Sequence, residues 1–184
     1  MQRRQFLAGL GAFGVAGFVG AAEQGALLRG PDVIFVPTPD EVVNMMLKLA
    51  GVTKKDTVYD LGCGDGRIVV TAAQKYGARG VGIDIDPERV AEANENVKKG
   101  KVDKLVKIVR GDLFEADISE ATVVTLYLLT DLNRKLRPKL WRDLRPGTRV
   151  VSHAFSMGED WKPVRQESVQ GTTVYLWHVP PHKG

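Results

Sequence analysis

The chain has 184 residues, of which 43% are hydrophobic, enough for one domain of ordinary size with a real core. Its 26 Lys and Arg against 22 Asp and Glu leave a net charge of +4, half of which comes from Arg3 and Arg4, so the body is near neutral and a poor electrostatic case for a dedicated nucleic-acid binder. A single cysteine excludes an intramolecular disulfide, and no Cys/His cluster has metal-ligand spacing.

The first 22 residues read as a leader. Arg3-Arg4-Gln5-Phe6-Leu7 matches the twin-arginine type of bacterial export signal, and an uncharged, glycine-rich apolar run follows to Ala22. The expectation is export or membrane anchoring, with membrane proximity as the consequence. Residues 23–36 read as a linker, and residues 37–184 as the folded domain.

Within that domain, Thr38-Pro39-Asp40-Glu41 predicts a helix start. Thr38 would be the N-cap, Pro39 the first helical residue and Glu41 the partner in a capping box, with Gly51 as the stop. Strand–helix alternation follows: Thr57–Leu61 strand, Arg67–Tyr76 helix, Gly80–Asp84 strand, Pro87–Lys99 helix, Leu105–Val109 strand. Next come strand Thr122–Leu128, a helix Asp131–Leu144 broken at Pro138, and strand Thr148–His153. Repeated strand–helix units imply a parallel sheet covered on both faces. At the end, Val164–Val169 and Thr172–Val179 flank Gln170-Gly171 and read as a hairpin.

The chemistry concentrates in Val58-Tyr59-Asp60-Leu61-Gly62-Cys63-Gly64-Asp65-Gly66-Arg67, a buried strand entering a glycine loop and then a helix. Asp84 closes the next apolar run, one strand–helix unit later. Glycines allow close backbone approach, and a carboxylate at that distance suits ribose hydroxyls. Arg67 stands where the dinucleotide fingerprint has its third glycine, so the loop suits a ligand without phosphates. Cys63, between two loop glycines, reads as a small side chain in a tight turn rather than a nucleophile.

With Asp84-Ile85-Asp86-Pro87 and Gly111-Asp112-Leu113-Phe114 added, the pattern resembles the class I S-adenosylmethionine (SAM) methyltransferases. That resemblance implies a Rossmann-like α/β fold, a seven-stranded, mostly parallel sheet of order 3-2-1-4-5-7-6 with strand 7 antiparallel. It also implies roles: Asp84 on the ribose with Ile85 beside it, Asp112 on the adenine amino group and Leu113 on the ring. Gly62, Gly64 and Gly66 would meet the donor through their backbone, Asp60 and Asp65 would help hold its methionyl amino end, and Thr38 is a further candidate for binding the cofactor.

For the acceptor, Thr125-Leu126-Tyr127-Leu128-Leu129 lacks the Asn/Asp-Pro-Pro-aromatic sequence of N6-adenine and glutamine-type enzymes, and the lone cysteine excludes the usual C5-cytosine mechanism. Val36-Pro37-Thr38-Pro39-Asp40-Glu41-Val42-Val43 and Leu136-Arg137-Pro138-Lys139-Leu140 resemble the small prokaryotic protein-lysine methyltransferases related to the mitochondrial ATP synthase c-subunit lysine methyltransferase. The resemblance implies a protein substrate and methylation of a lysine amine. The alternatives are a small-molecule acceptor or a non-catalytic SAM-binding module. A lysine amine, with a reference pKa of about 10.4, must be presented neutral, which a dry aromatic channel favours. Tyr127 and Phe35 are the candidate catalytic wall, although this family usually carries a Tyr at the position of Phe35. Phe155 and Trp161 are weaker candidates for that wall, and His153 reads as a hydrogen-bonded residue at a strand end. The crowded Arg134, Lys135, Arg137, Lys139, Arg142, Arg145 and Arg149 read by default as a solvated face, with a dock for an acidic partner or anionic lipid as the functional alternative. Supply of SAM argues for the cytoplasm and the leader against it.

Overall fold

A computed structural model describes Gly30 and residues 35–181; the leader and most of the linker lie outside the described residues. The order is α1 (Asp40–Leu49), β1 (Thr57–Leu61), α2 (Arg67–Tyr76), β2 (Arg79–Asp84), α3 (Pro87–Lys99), β3 (Val106–Arg110), β4 (Val123–Leu126), α4 (Thr130–Asp143), β5 (Arg149–His153), β6 (Arg165–Val169) and β7 (Thr172–His178). The strands form one seven-stranded sheet, β3-β2-β1-β4-β5-β7-β6. β1 to β5 pair in parallel, and β7 runs antiparallel to both β5 and β6. This is the expected order, and the Gln170-Gly171 hairpin is present with both residues at positive φ (51° and 75°), the geometry of a two-residue turn matched to strand twist.

Alternate residues of each central strand feed two cores. Val58 of β1 packs with α1, α2 and Val97 of α3, whereas Tyr59 and Leu61 pack with Leu136, Leu140 and Leu144 of the α4 side and with Trp177. β1 is buried from end to end, as a central parallel strand covered on both faces must be. No helix among the described residues is long and apolar enough to cross a membrane.

Three local expectations are corrected. The Thr38 capping box does not form: α1 begins at Asp40, Pro39 is its N-cap, and no side chain caps it. The Thr38 hydroxyl is taken by His153, a contact 115 residues away in sequence. Pro138 does not break α4, which runs through it because Leu136 and Leu140 on either side are fully buried and hold the turn. β4 stops at Leu126, its last residue in register with Leu61 and Ser152, so Tyr127 and Leu128 lie beyond the ladder rather than in it.

The end of the sheet opposite the glycine loop is fastened by Asp56. Its carboxylate accepts hydrogen bonds from Thr53 N (2.8 Å), Thr53 Oγ1 (3.0 Å) and Thr122 Oγ1 (2.7 Å), and pairs with Arg149. Arg149 also donates to the carbonyls of Ala50 (2.8 Å) and Gly51 (3.2 Å) at the end of α1. Burial pushes the Asp56 carboxyl up, but these hydrogen bonds outweigh it and hold it below the ordinary value. Arg149→Ala, which leaves that carboxylate short of its cation, is expected to cost roughly 2 kcal/mol of stability by urea unfolding.

Candidate functional site

At the carboxyl end of the parallel strands lies a cavity of about 410 Å³. Open α/β sheets bind their ligands at this end, beside the point where strand order reverses, here between β1 and β4. Of the residues expected at a donor site, Thr38, Asp60, Gly62, Asp65, Asp84, Ile85, Asp112 and Leu113 line it, as do Tyr127 and Phe35. Gly64 and Gly66 do not. Gly64, at φ +52°, lies under the Phe35 ring, and a Cβ there would come within 2.1 Å of Phe35 Cε2. Gly66 is instead the left-handed N-cap of α2, packed against Ala93.

The loop is held by carboxylates. Asp84 Oδ2 accepts from Gly64 N (2.8 Å) and Oδ1 from Asp86 N (3.0 Å), so the strand-end carboxylate sets the loop's height over the cavity. Asp112 Oδ1 accepts from Phe114 N (2.9 Å) and turns the chain after β3. Asp65 is taken up by Arg67, whose Nη2 reaches Oδ2 at 2.6 Å and whose Nη1 donates to the Thr38 carbonyl at 3.0 Å. Asp60 is different. It is fully buried and, among the described residues, receives one hydrogen bond, from Thr125 Oγ1 at 2.8 Å. Burial pushes its carboxyl up to about 7 despite that bond, and neighbouring Asp84 and Asp65 push the same way. Cys63 is also buried, with its thiol pushed up by burial and its sulfur packed where a Gly82 side chain would stand, which fits the packing role expected of it.

The other half of the cavity is apolar. Tyr127, Phe155, Leu128, Leu129 and Leu132 line it, with Phe35 and Val36 contributed from ahead of α1. Tyr127 stacks on His153 (centroids 3.9 Å apart) and on Phe155 (6.1 Å). Arg89 of α3 sits over the Phe35 ring at 5.1 Å, a cation–π contact invisible in the sequence because α3 comes some 50 residues later. Trp161 is not part of this wall. It packs edge-on with Trp141 and takes the Trp177 indole hydrogen bond on its carbonyl, so it belongs to the core of the α4 face.

The basic stretch has mostly internal partners. Arg137 donates to Met157 O and pairs with Asp160 (3.1 Å), Lys139 is buried on Asp143 (2.6 Å), Arg142 joins the same carboxylate, and Arg149 belongs to the Asp56 cluster. Arg137, Lys139, Arg142 and Arg149, part of what reads as a single charged face, are therefore divided among Asp160, Asp143 and Asp56.

Comparison with known proteins adds four findings. The family model described as the ANTKMT methyltransferase domain matches residues 60–165. A protein-lysine N-methyltransferase of Saccharolobus islandicus (strain REY15A) is 49% identical over 158 residues, 83% of this chain and 98% of the relative; the human lysine N-methyltransferase of the ATP synthase c-subunit is 26% identical over 157 residues, 85% of this chain and 66% of the relative. A solved structure named as an RNA methyltransferase from Salinibacter ruber, in complex with S-adenosyl-L-homocysteine, superposes with a TM-score of 0.79 at 58% identity, covering 81% of this chain and 97% of that one.

Proposed function

The chain belongs to the ANTKMT methyltransferase family, and from that membership we propose that it transfers a methyl group from S-adenosylmethionine to the side-chain amine of lysine in a protein. The observation that carries the reading is the division of one cavity into a carboxylate half on the glycine loop and an apolar, aromatic half at the end of β4.

The carboxylate half fits the donor. Asp84 and Asp112 would hold its ribose and adenine, with Ile85 and Leu113 as apolar contacts. Asp60, buried with one neutral hydrogen-bond donor, fits a cationic group such as the methionyl ammonium, and Asp65 is already shared with Arg67. Bound there, SAM would supply a methyl on a positively charged sulfur, which takes the bonding electron pair as the amine lone pair takes the methyl. The chain's own task is positioning and drying: the amine would give up its proton to solvent as it enters, and Tyr127, Phe35 and Phe155 would then exclude water from it and favour its neutral form. Their rings would also attract the cationic methylammonium that results.

The lysine acceptor is supported by the Saccharolobus islandicus relative, which spans nearly the same chain. A second reading, RNA as acceptor, is favoured by the name of the Salinibacter ruber structure. The partnered arginines and lysines around α4 argue against it, since RNA binding draws on cations free to neutralise phosphates. Incubation of the chain with radiolabelled SAM and a cell extract separates the readings. Labelled protein bands that survive ribonuclease and yield methyl-lysine on hydrolysis are expected. Label lost to ribonuclease would transfer the assignment to RNA. Label confined to small molecules would transfer it to a metabolite acceptor.

A further inference from the structure

His153 ends β5 just behind the aromatic wall, buried and outside the cavity lining. Its Nδ1 shares a hydrogen bond with Thr38 Oγ1 at 3.3 Å, and its ring lies against Tyr127 with 28° between the planes. The next residue, Ala154, sits at φ +63°, and Phe155 N donates to the His153 carbonyl at 2.8 Å across it. A hydrogen bond from residue i+2 to i over a left-handed alanine is a turn of the strained hand. Strain of this kind persists where the surroundings over-determine it, and it clusters at functional sites. Here it brings His153 and Phe155, two residues apart, both against Tyr127. Ala154 N, donating to Thr173 O at 2.8 Å, pins the turn to β7.

Thr38 ties this assembly to the rest of the site. While its hydroxyl meets His153, its carbonyl accepts from Arg67, which holds the glycine-loop Asp65. One residue thus joins the carboxylate half of the cavity to the aromatic half.

We infer that His153 is a positioning residue for methyl transfer, fixed in rotation by the Thr38 hydroxyl and in turn fixing the plane of Tyr127 at the acceptor end of the cavity. The inference rests on the methyltransferase reading above. Burial lowers the imidazole's proton affinity, so the ring that supports Tyr127 adds no further positive charge beside a cationic donor.

The test compares kcat for methyl transfer with the affinity for S-adenosylhomocysteine. Thr38→Val removes the hydroxyl at nearly constant volume, and His153→Phe keeps the stacking ring without its nitrogen. Each is expected to lower kcat by roughly tenfold, and in His153→Phe, which lies outside the cavity lining, affinity for S-adenosylhomocysteine should hold within about twofold, because misplacement acts on the reacting geometry rather than on binding. Thr38→Ser should restore the rate. The double variant should be no slower than either single one, since both remove the same bond. Ala154→Gly, which keeps every ring and hydrogen-bonding group, guards against a folding defect: it should melt no lower than wild type and still lose about threefold in kcat through a looser turn. Wild-type kcat in Thr38→Val, a fall in affinity in His153→Phe that accounts for its whole loss, or effects that multiply in the double variant would overturn the inference alone. A wild-type chain that binds SAM and methylates no acceptor would overturn it together with the proposed function.

Discussion

Asp60→Asn is expected to make the ligand-free protein more stable than wild type at pH 8, by up to about 4 kcal/mol. Its folded carboxyl is raised to about 7 from an ordinary 3.8, a gap of about three pH units at roughly 1.4 kcal/mol each. The sign follows from proton counting. Between the two values the folded chain holds a proton that the unfolded chain has released, so wild-type stability falls as pH rises from about 4 to about 7. Asparagine has no such term, and its amide oxygen still accepts from Thr125 Oγ1, now 2.8 Å from the carboxylate. Urea unfolding of both proteins at pH 8 and pH 5 checks it: the variant's advantage should be largest at pH 8 and more than halved at pH 5. An advantage independent of pH would mean that Asp60 is not the titrating group. The same substitution should weaken SAM and S-adenosylhomocysteine binding at pH 8, and wild-type affinity should tighten as pH rises through 7. A buried carboxylate that destabilises the empty fold makes sense as a receptor for a cation that arrives with the ligand.

How far the sequence leads depends on the range of the interactions. The glycine loop, Asp84 and Asp112 were legible because each follows a strand whose apolar run is unmistakable; strand alternation carried the parallel sheet, and its strand order came with the family resemblance. Even so, the positions that line the cavity were not wholly those of the motif. Gly64 carries the motif's signature and lies under the Phe35 ring, a contact set by the path of residues ahead of α1. Where a distant partner wins, local signals mislead. Thr38-Pro39-Asp40-Glu41 has every mark of a capping box, but a buried hydroxyl beside an imidazole has more to lose by staying unpaired than a solvated helix end does. The run of arginines and lysines misleads in the same way, because Asp160 and Asp56 reach Arg137 and Arg149 only in the folded chain, whereas Asp143 takes Lys139 and Arg142 from its own helix. The Ala154 turn left no sequence signal, since nothing in His153-Ala154-Phe155 marks a positive φ.

Asp84→Ala should raise the dissociation constant for S-adenosylhomocysteine by about 10- to 100-fold, or roughly 1.5–3 kcal/mol, the range for hydrogen bonds to a charged acceptor. The structure adds a complication that a binding measurement alone would miss. Asp84 accepts from the backbone of both Gly64 and Asp86, so alanine would remove the proposed ribose acceptor and free two loop N–H groups together. Part of the loss would then come from a loop that no longer stands at the right height. Asp84→Asn separates the two contributions. The amide oxygen can keep one backbone bond while the NH2 loses the other, so its melting temperature and its affinity should both fall between those of wild type and Asp84→Ala. Isothermal titration with S-adenosylhomocysteine on all three proteins, paired with their melting curves, reads both effects. Equal affinities in wild type and a well-folded Asp84→Ala would remove Asp84 from the donor site. An Asp84→Asn protein as weak as Asp84→Ala would instead put the whole effect on charge, leaving the loop bonds a purely structural matter.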